Sequence, residues 1–153
     1  MKNSNYKKFA IMMTLSFVIM YAVMFLNADI FGHVMLSYTR TYMTILMISP
    51  MAISMMLFMW KMYTNKLLNY VILVVSTITF IVTLFMLRNQ TFISDTQWMK
   101  AMIPHHSSAI MVSQKARLKD PEAQKLAEDI IVAQKKEIAQ MKAMIKRLED
   151  NKK

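Results

Sequence analysis

The chain has 153 residues, of which 56% are apolar, and it carries a formal net charge of +10. With one glycine and three prolines, this composition is not that of a single soluble domain. Because neither a nucleic-acid-binding motif nor a basic stripe interleaved with aromatic residues accompanies the charge, we attribute it to membrane topology and anionic lipid, and we expect no nucleic-acid partner. The absence of cysteine excludes both a disulfide framework and a copper site made of thiolates.

Three stretches of the N-terminal part are nearly free of charge, at residues 9–26, 42–60 and 67–87. Each has about the 17–25 residues that a helix needs to cross a bilayer. The first stretch is too long for the core of a secretory signal, and no small-residue cleavage site follows it, so it reads as a retained membrane helix. The sequence therefore predicts a membrane domain over residues 1–90 with three transmembrane helices.

Basic residues near the ends of these stretches predict the orientation. Lys2, Lys7 and Lys8 flank the first stretch, and Lys61 and Lys66 lie in the short link between the second and the third. Because loops on the cytoplasmic side carry an excess of lysine and arginine, we expect the N-terminus and this link to be cytoplasmic. An odd number of crossings then makes the C-terminal part extracytoplasmic, in a multi-pass protein of the cell membrane whose first partner is the lipid bilayer.

Soft-metal ligands occur outside the C-terminal part as well. The loop between the first two stretches carries His33 and Met35, which could contact copper, but we expect His33 to be solvated. The second stretch has methionine at every fourth position: Met43, Met47, Met51, Met55 and Met59. We interpret this row as an adaptable packing ridge rather than as a pathway for copper.

Residues 91–153 change to an amphipathic pattern that predicts two helices. Asp95 is the expected N-cap of a helix of about 24 residues, and Asp120 should cap a second helix that begins at Pro121 and ends near Glu149. The second helix has an apolar stripe with steps of three and four: Ala127, Ile130, Gln134, Ile138, Met141, Ile145 and Leu148. We expect an antiparallel helical hairpin in an extracytoplasmic domain at residues 91–153.

Two helices alone bury little surface and usually need a partner, a metal or oligomerisation for stability. Pairing of two hairpins from two chains would complete a four-helix bundle. The prediction is thus an all-α protein with three transmembrane helices and a hairpin, assembled as a homodimer or a higher homo-oligomer.

The segment at residues 98–106 contains the candidate metal site. At about 100° per residue, Met99, Met102 and His106 fall within an arc of about 60° on one helix face, while His105 lies at its edge. Pro104 removes one backbone hydrogen bond within the helix and predicts a kink just before the two histidines.

The second helix adds Glu137, Met141 and Met144 at helical spacing. In an antiparallel hairpin its end lies opposite the start of the first helix, which brings Met141 and Met144 to the level of Met99 and His106. Thioether sulfur and imidazole nitrogen suit monovalent copper. The alternative is ordinary packing, since methionine at helical spacing is more often core material than a ligand.

Residues 102–110 read Met-Ile-Pro-His-His-Ser-Ser-Ala-Ile, and residues 133–141 contain Ala-Gln, Glu-Ile and Met at fixed spacing. Over about residues 95–148 the chain resembles the family catalogued as domain of unknown function 305 (DUF305), whose pattern is Met-Ile-x-His-His-x-x-Ala-Ile and later Ala-Gln-x-x-Glu-Ile-x-x-Met. The resemblance implies an exported, ferritin-like helical bundle, often rich in methionine and histidine, with some members linked to copper binding and copper tolerance. By position it implies four ligand candidates, with Glu137 as a polar neighbour: Met102, His105, His106 and Met141. Met144 and Met99 are weaker candidates.

Two positions depart from the pattern of many DUF305 members. Ser107 replaces a glutamine, and Val112 stands where a methionine is usual. The chain also looks closer to a membrane-attached subgroup with a single hairpin.

Two hypotheses for function follow. The first is a membrane-anchored, outward-facing protein that binds Cu(I) for sequestration or tolerance. The second is a structural or interaction module whose hairpin mediates oligomerisation or docks on another membrane protein. Because no catalytic constellation, phosphate-binding glycine loop or paired inward carboxylates can be identified, we expect the protein not to be an enzyme.

Overall fold

The computed structural model describes residues 3–151, and over that range it contains α-helices and short 3-10 turns but no strand. The five helices are α1 (Asn3–Val23), α2 (Tyr38–Phe58), α3 (Lys66–Arg88), α4 (Asp95–Lys115) and α5 (Pro121–Asp150). Single 3-10 turns lie at Phe31–His33 and Trp60–Met62. The predicted all-α class is confirmed.

Contacts between residues divide the chain into two compact units. The first, here called the apolar unit, draws on Met1–Val23 and Thr39–Phe92. The second, the tail unit, draws on Met24–Tyr38 and Ile93–Lys153. The tail unit therefore contains, besides the C-terminal helices, the segment between α1 and α2.

The apolar unit holds three helices that are long and apolar enough to cross a membrane. They correspond to the three predicted spans, with bounds shifted by up to six residues. The first helix ends at Val23 rather than near residue 26, because residues 24–27 form a turn. Most side chains of these helices, such as Leu15, Val74 and Phe85, point away from the protein, as expected where lipid rather than protein surrounds a helix.

Within the apolar unit, polar contacts join the start of α1 to the start of α3. The Tyr6 hydroxyl donates to Asn69 Oδ1 at 2.8 Å, and Asn69 Nδ2 donates to the carbonyl of Tyr63 at 2.9 Å. Asn69 is fully buried, so these bonds satisfy an amide that would otherwise be costly to bury. Of the methionine row in α2, Met55 and Met59 pack against the core of this unit, whereas Met43 and Met47 are exposed.

Caps define the helices of the tail unit. Ser94, not the predicted Asp95, is the N-cap of α4, and its hydroxyl accepts a hydrogen bond from the Gln97 N–H. The α4 helix has 21 residues, fewer than the predicted 24. The caps of α5 are confirmed: Asp120 accepts from the Ala123 N–H at 2.8 Å, and Pro121 occupies the first helical position.

The helices α4 and α5 pack on each other through an apolar core. Its buried members are Met99, Ile103, Ile110, Ile138, Met141 and Ile145. Every residue of the predicted stripe on α5 is buried or half-buried. Lys100 pairs with Glu149 at 2.8 Å, so the start of α4 lies beside the end of α5.

Candidate metal centre

The buried residues of α4 include two polar side chains, His106 and Ser107. His106 Nε2 lies 2.7 Å from Glu137 Oε2. The histidine side chain is 11% exposed and the glutamate side chain 49% exposed, so the pair bridges the core and the surface. Because a carboxylate only accepts hydrogen bonds, Nε2 carries the proton and donates it to Glu137.

The second ring nitrogen of His106 is the unusual atom of this site. Nδ1 is buried and has no hydrogen-bond partner among the described residues. Buried polar atoms are normally satisfied, so each exception calls for an explanation. In the tautomer with the proton on Nε2, the lone pair of the ring is on Nδ1. A carboxylate that fixes the tautomer in this way is the usual outer-shell partner of a histidine that binds metal.

Two methionines lie one helical turn from this pair. Met102 precedes His106 by four residues on α4, and Met141 follows Glu137 by four residues on α5, so each shares a helix face with its neighbour. Since α4 and α5 run in opposite directions, Met102 and Met141 are displaced from His106 and Glu137 toward the same end of the helix pair. Met141 is buried in the core and Met102 packs against that core. The axial offset of one turn is about 6 Å, which a long thioether side chain can span.

The other candidates lie elsewhere. His105 is exposed, with its ring centroid 6.2 Å from that of His106 and the planes at 68°. Met144 is exposed, and Met99 is buried within the core. Pro104 is fully buried in an uninterrupted α4. The structure thus gathers three of the four main candidates on the core side of α4 and α5, and leaves His105 on the outer side.

No group of three or more histidine, aspartate or glutamate side chains suitable for a metal ion occurs in residues 3–151. A hard-metal site with several carboxylates is therefore not formed by that part of the chain. The donor set near His106 consists of one imidazole and methionine sulfur, which matches the preference of a soft monovalent ion.

His33 is a buried polar residue whose contacts the sequence did not predict. The expectation that it is solvated was wrong, because its side chain is buried and its Nδ1 lies 2.9 Å from Ser107 Oγ. The same hydroxyl accepts a hydrogen bond from the Asp29 N–H at 2.8 Å. Burial lowers the pKa of His33, and nearby Lys142 lowers this pKa further, while Asp29 opposes the shift. Ser107 could have indicated this contact. Its hydroxyl is completely buried, and a polar group on a buried face needs a partner.

Residues 24–38, hereafter the strap, lie along α4 on the side where these bonds form. The Tyr38 N–H donates to Gln97 Oε1 at 3.0 Å, so both halves of the strap are tied to α4. Met35 packs against the core shared by α4 and α5. A cavity of about 320 Å³ remains between the strap and α5, and His33, Lys135 and Lys142 are among its lining residues.

Comparisons with known proteins agree with the motif seen in α4 and α5. Residues 84–145 match the family described as Domain of unknown function (DUF305). The chain is also 36% identical over 138 residues to an uncharacterized protein of Acanthamoeba polyphaga mimivirus, covering 88% of this chain and 89% of that protein. No solved structure matches the chain. On these grounds the chain belongs to the DUF305 family.

Proposed function

We propose that the protein is a membrane-anchored, outward-facing metal-binding protein that takes up Cu(I) for sequestration or tolerance. His106, Met102 and Met141 are the proposed ligands, and Glu137 orients the imidazole. The observation that carries the proposal is the buried Nδ1 atom of His106, which has no hydrogen-bond partner among the described residues.

A metal ion at Nδ1 would resolve the energetic cost of that atom. A buried acceptor without a partner costs about 1–3 kcal/mol, and a coordinate bond to copper replaces the missing hydrogen bond. The hydrogen bond from Nε2 to Glu137 at 2.7 Å supports this role, because it selects the tautomer whose free lone pair is on Nδ1.

The thioethers supply selectivity for the reduced ion. Methionine sulfur is a soft ligand that stays uncharged, and it favours Cu(I) over the harder divalent ions that carboxylates would prefer. Met102 and Met141 lie on opposite helices at the same end of the His106–Glu137 pair. His105, on the outer side of the same turn, is exposed and is not a ligand in this proposal.

Cu(I) competition tests the proposal. The full-length protein in detergent would compete with a chromophoric Cu(I) chelator under anaerobic conditions, with His106→Ala as the test variant. His105→Ala is the matched control, because it removes the neighbouring but exposed imidazole. We expect His106→Ala to lower the affinity at least about tenfold and His105→Ala to change it little. Equally weak binding by the wild type and the His105→Ala/His106→Ala double variant would contradict the proposal.

The proposed location follows from the three apolar helices and the distribution of lysine. If Lys7 and Lys8 are on the cytoplasmic side, three crossings would put α4 and α5 outside the cell membrane. Protease treatment of intact cells checks this orientation through a C-terminal tag. We expect the tag to be removed, and a tag that survives on intact cells but is cleaved after lysis would reverse the assignment.

Exposed apolar side chains favour a second candidate function, that of an interaction module. Leu126 and Val132 on α5 are 60% and 69% exposed, and Val112 on α4 is 57% exposed. If two copies of α4 and α5 formed an antiparallel hairpin dimer, these side chains could enter the core of a four-helix bundle. Leu126→Glu separates the two functions: we expect it to dissociate a homodimer in detergent, measured by sedimentation, while Cu(I) affinity per chain stays unchanged.

A further inference from the structure

We propose that the strap completes the metal site and that Met35 supplies its thioether as an additional Cu(I) ligand. This inference rests on the proposed function and adds to it a residue from a distant part of the chain. Carbonyl oxygens and the His33 ring of the strap are weaker candidates for this role.

The register of the strap on α4 places Met35 at the level of Met102 and Ile103. His33 bonds to Ser107, and five residues later Tyr38 bonds to Gln97. Residues 34–37 contain no helix, and an extended chain advances about 3.3 Å per residue, so the strap covers about 16 Å between these bonds. Ten residues of α4 cover about 15 Å, so the two segments run side by side in opposite directions.

Met35 follows His33 by two residues, which corresponds to about 6.6 Å of extended chain. Along α4 the same distance spans between four and five residues. Counting from Ser107 toward the start of the helix gives the matching level. Met35 therefore lies at the level of Met102 and Ile103, one turn from His106. Its half-buried side chain packs against the core that contains Met141, so it points toward the helix pair and not into solvent.

His33 is a positioning residue in this arrangement. Its Nδ1 is already engaged with Ser107 Oγ at 2.9 Å, and the bond from the Asp29 N–H to the same hydroxyl fixes the adjoining turn. These two bonds hold the strap in the register that brings Met35 to the site. Carbonyl oxygens of the strap are hard donors and suit a soft ion poorly.

The strap also separates the site from water. Ser107 is fully buried, and its hydroxyl bonds to Asp29 and His33 of the strap, so the strap covers this part of α4. An ion held by His106, Met102, Met141 and Met35 would be enclosed by two helices and the strap. Enclosure by sulfur donors favours the reduced ion and slows its exchange with bulk solvent.

Met35→Leu in the full-length protein tests the assignment, because leucine keeps the apolar volume and removes only the sulfur. Met24→Leu is the matched control within the same strap. Two readouts are measured: Cu(I) affinity by chelator competition, and the number of sulfur neighbours of copper by X-ray absorption. We expect Met35→Leu to weaken binding at least about tenfold and to lose one sulfur neighbour, while Met24→Leu behaves as wild type.

Three other results would contradict the proposal in part or in whole. Wild-type affinity and an unchanged sulfur count in Met35→Leu, together with loss of binding in His106→Ala, would overturn the role of Met35 and leave the proposed function intact. No Cu(I) binding by the wild type would overturn both. Ser107→Ala tests the positioning role, since it should lower the sulfur count by one although no ligand is changed; a wild-type count in that variant would overturn the role of the strap contacts.

Discussion

Ser107→Ala gives the most direct test of how the strap is held. Ser107 Oγ accepts from the Asp29 N–H at 2.8 Å and shares a hydrogen bond with His33 Nδ1 at 2.9 Å. The substitution removes both bonds at a completely buried position and leaves two polar groups without a partner. At about 1 kcal/mol for each bond, docking of the strap on α4 should weaken by about 2 kcal/mol, which is roughly a 30-fold increase in the open fraction.

Hydrogen exchange measures this change amide by amide. In the variant, the amides of Asp29 and His33 should exchange about 30 times faster, whereas amides in the middle of α5 should exchange at the wild-type rate. Ser108→Ala is the control, because it makes the same change one residue along α4 at a half-buried position. If exchange in the strap of Ser107→Ala stays within about threefold of wild type, or if α5 is affected equally, the reasoning is refuted.

Three further predictions concern other contacts of the tail unit. Glu137→Gln should lower Cu(I) affinity about 10-fold or more, because a neutral amide accepts the His106 Nε2–H more weakly, and equal affinities in a chelator competition would contradict this role. In copper-free protein the strap should be most firmly docked above pH 6.5 and should loosen as the pH falls below it, because burial and Lys142 lower the pKa of His33, so the undocked state binds the proton more readily. Hydrogen exchange of the strap, corrected for intrinsic rates, should show this trend in wild type and lose it in His33→Gln. Ile138→Ala should destabilise the tail unit by about 2–4 kcal/mol through a cavity in its core, measured by chemical unfolding, and a loss below about 1 kcal/mol would indicate a site that collapses around the smaller side chain.

Helices were predictable from the sequence where one local signal dominates. The apolar runs of α1, α2 and α3 are uninterrupted, and the Asp120–Pro121 pair specifies both a cap and a first helical residue. The N-cap of α4 was assigned one residue late, because Ser94 and Asp95 are adjacent and both can cap a helix. The end of α4 was missed because no glycine or proline follows Lys115 until Pro121.

The site was predictable only in the part that helical spacing controls. Helical period and the expected antiparallel packing predicted Met141 near the level of His106, and the DUF305 resemblance named Glu137 as a polar neighbour. The contact of His33 with Ser107 joins residues 74 positions apart, and no local pattern encodes such a pair. In the sequence this contact was indicated by Ser107, which has a small hydroxyl where the DUF305 pattern often has glutamine. Ser107 was noted only as a departure from the family pattern.

The length of chain between the strap and Ser107 also governs the order in which the tail unit can form. During synthesis the strap emerges well before its acceptor, since Asp29 and Ser107 are 78 residues apart. Until α4 is made, the nascent strap has no surface on which to bury His33 and Met35, so its docking is a late and non-local step. A protein cut to start at Ile93 would keep α4 and α5 but expose the face that the strap covers. The tail unit therefore combines segments from before α2 and after α3, so metal binding should be measured on the full-length protein.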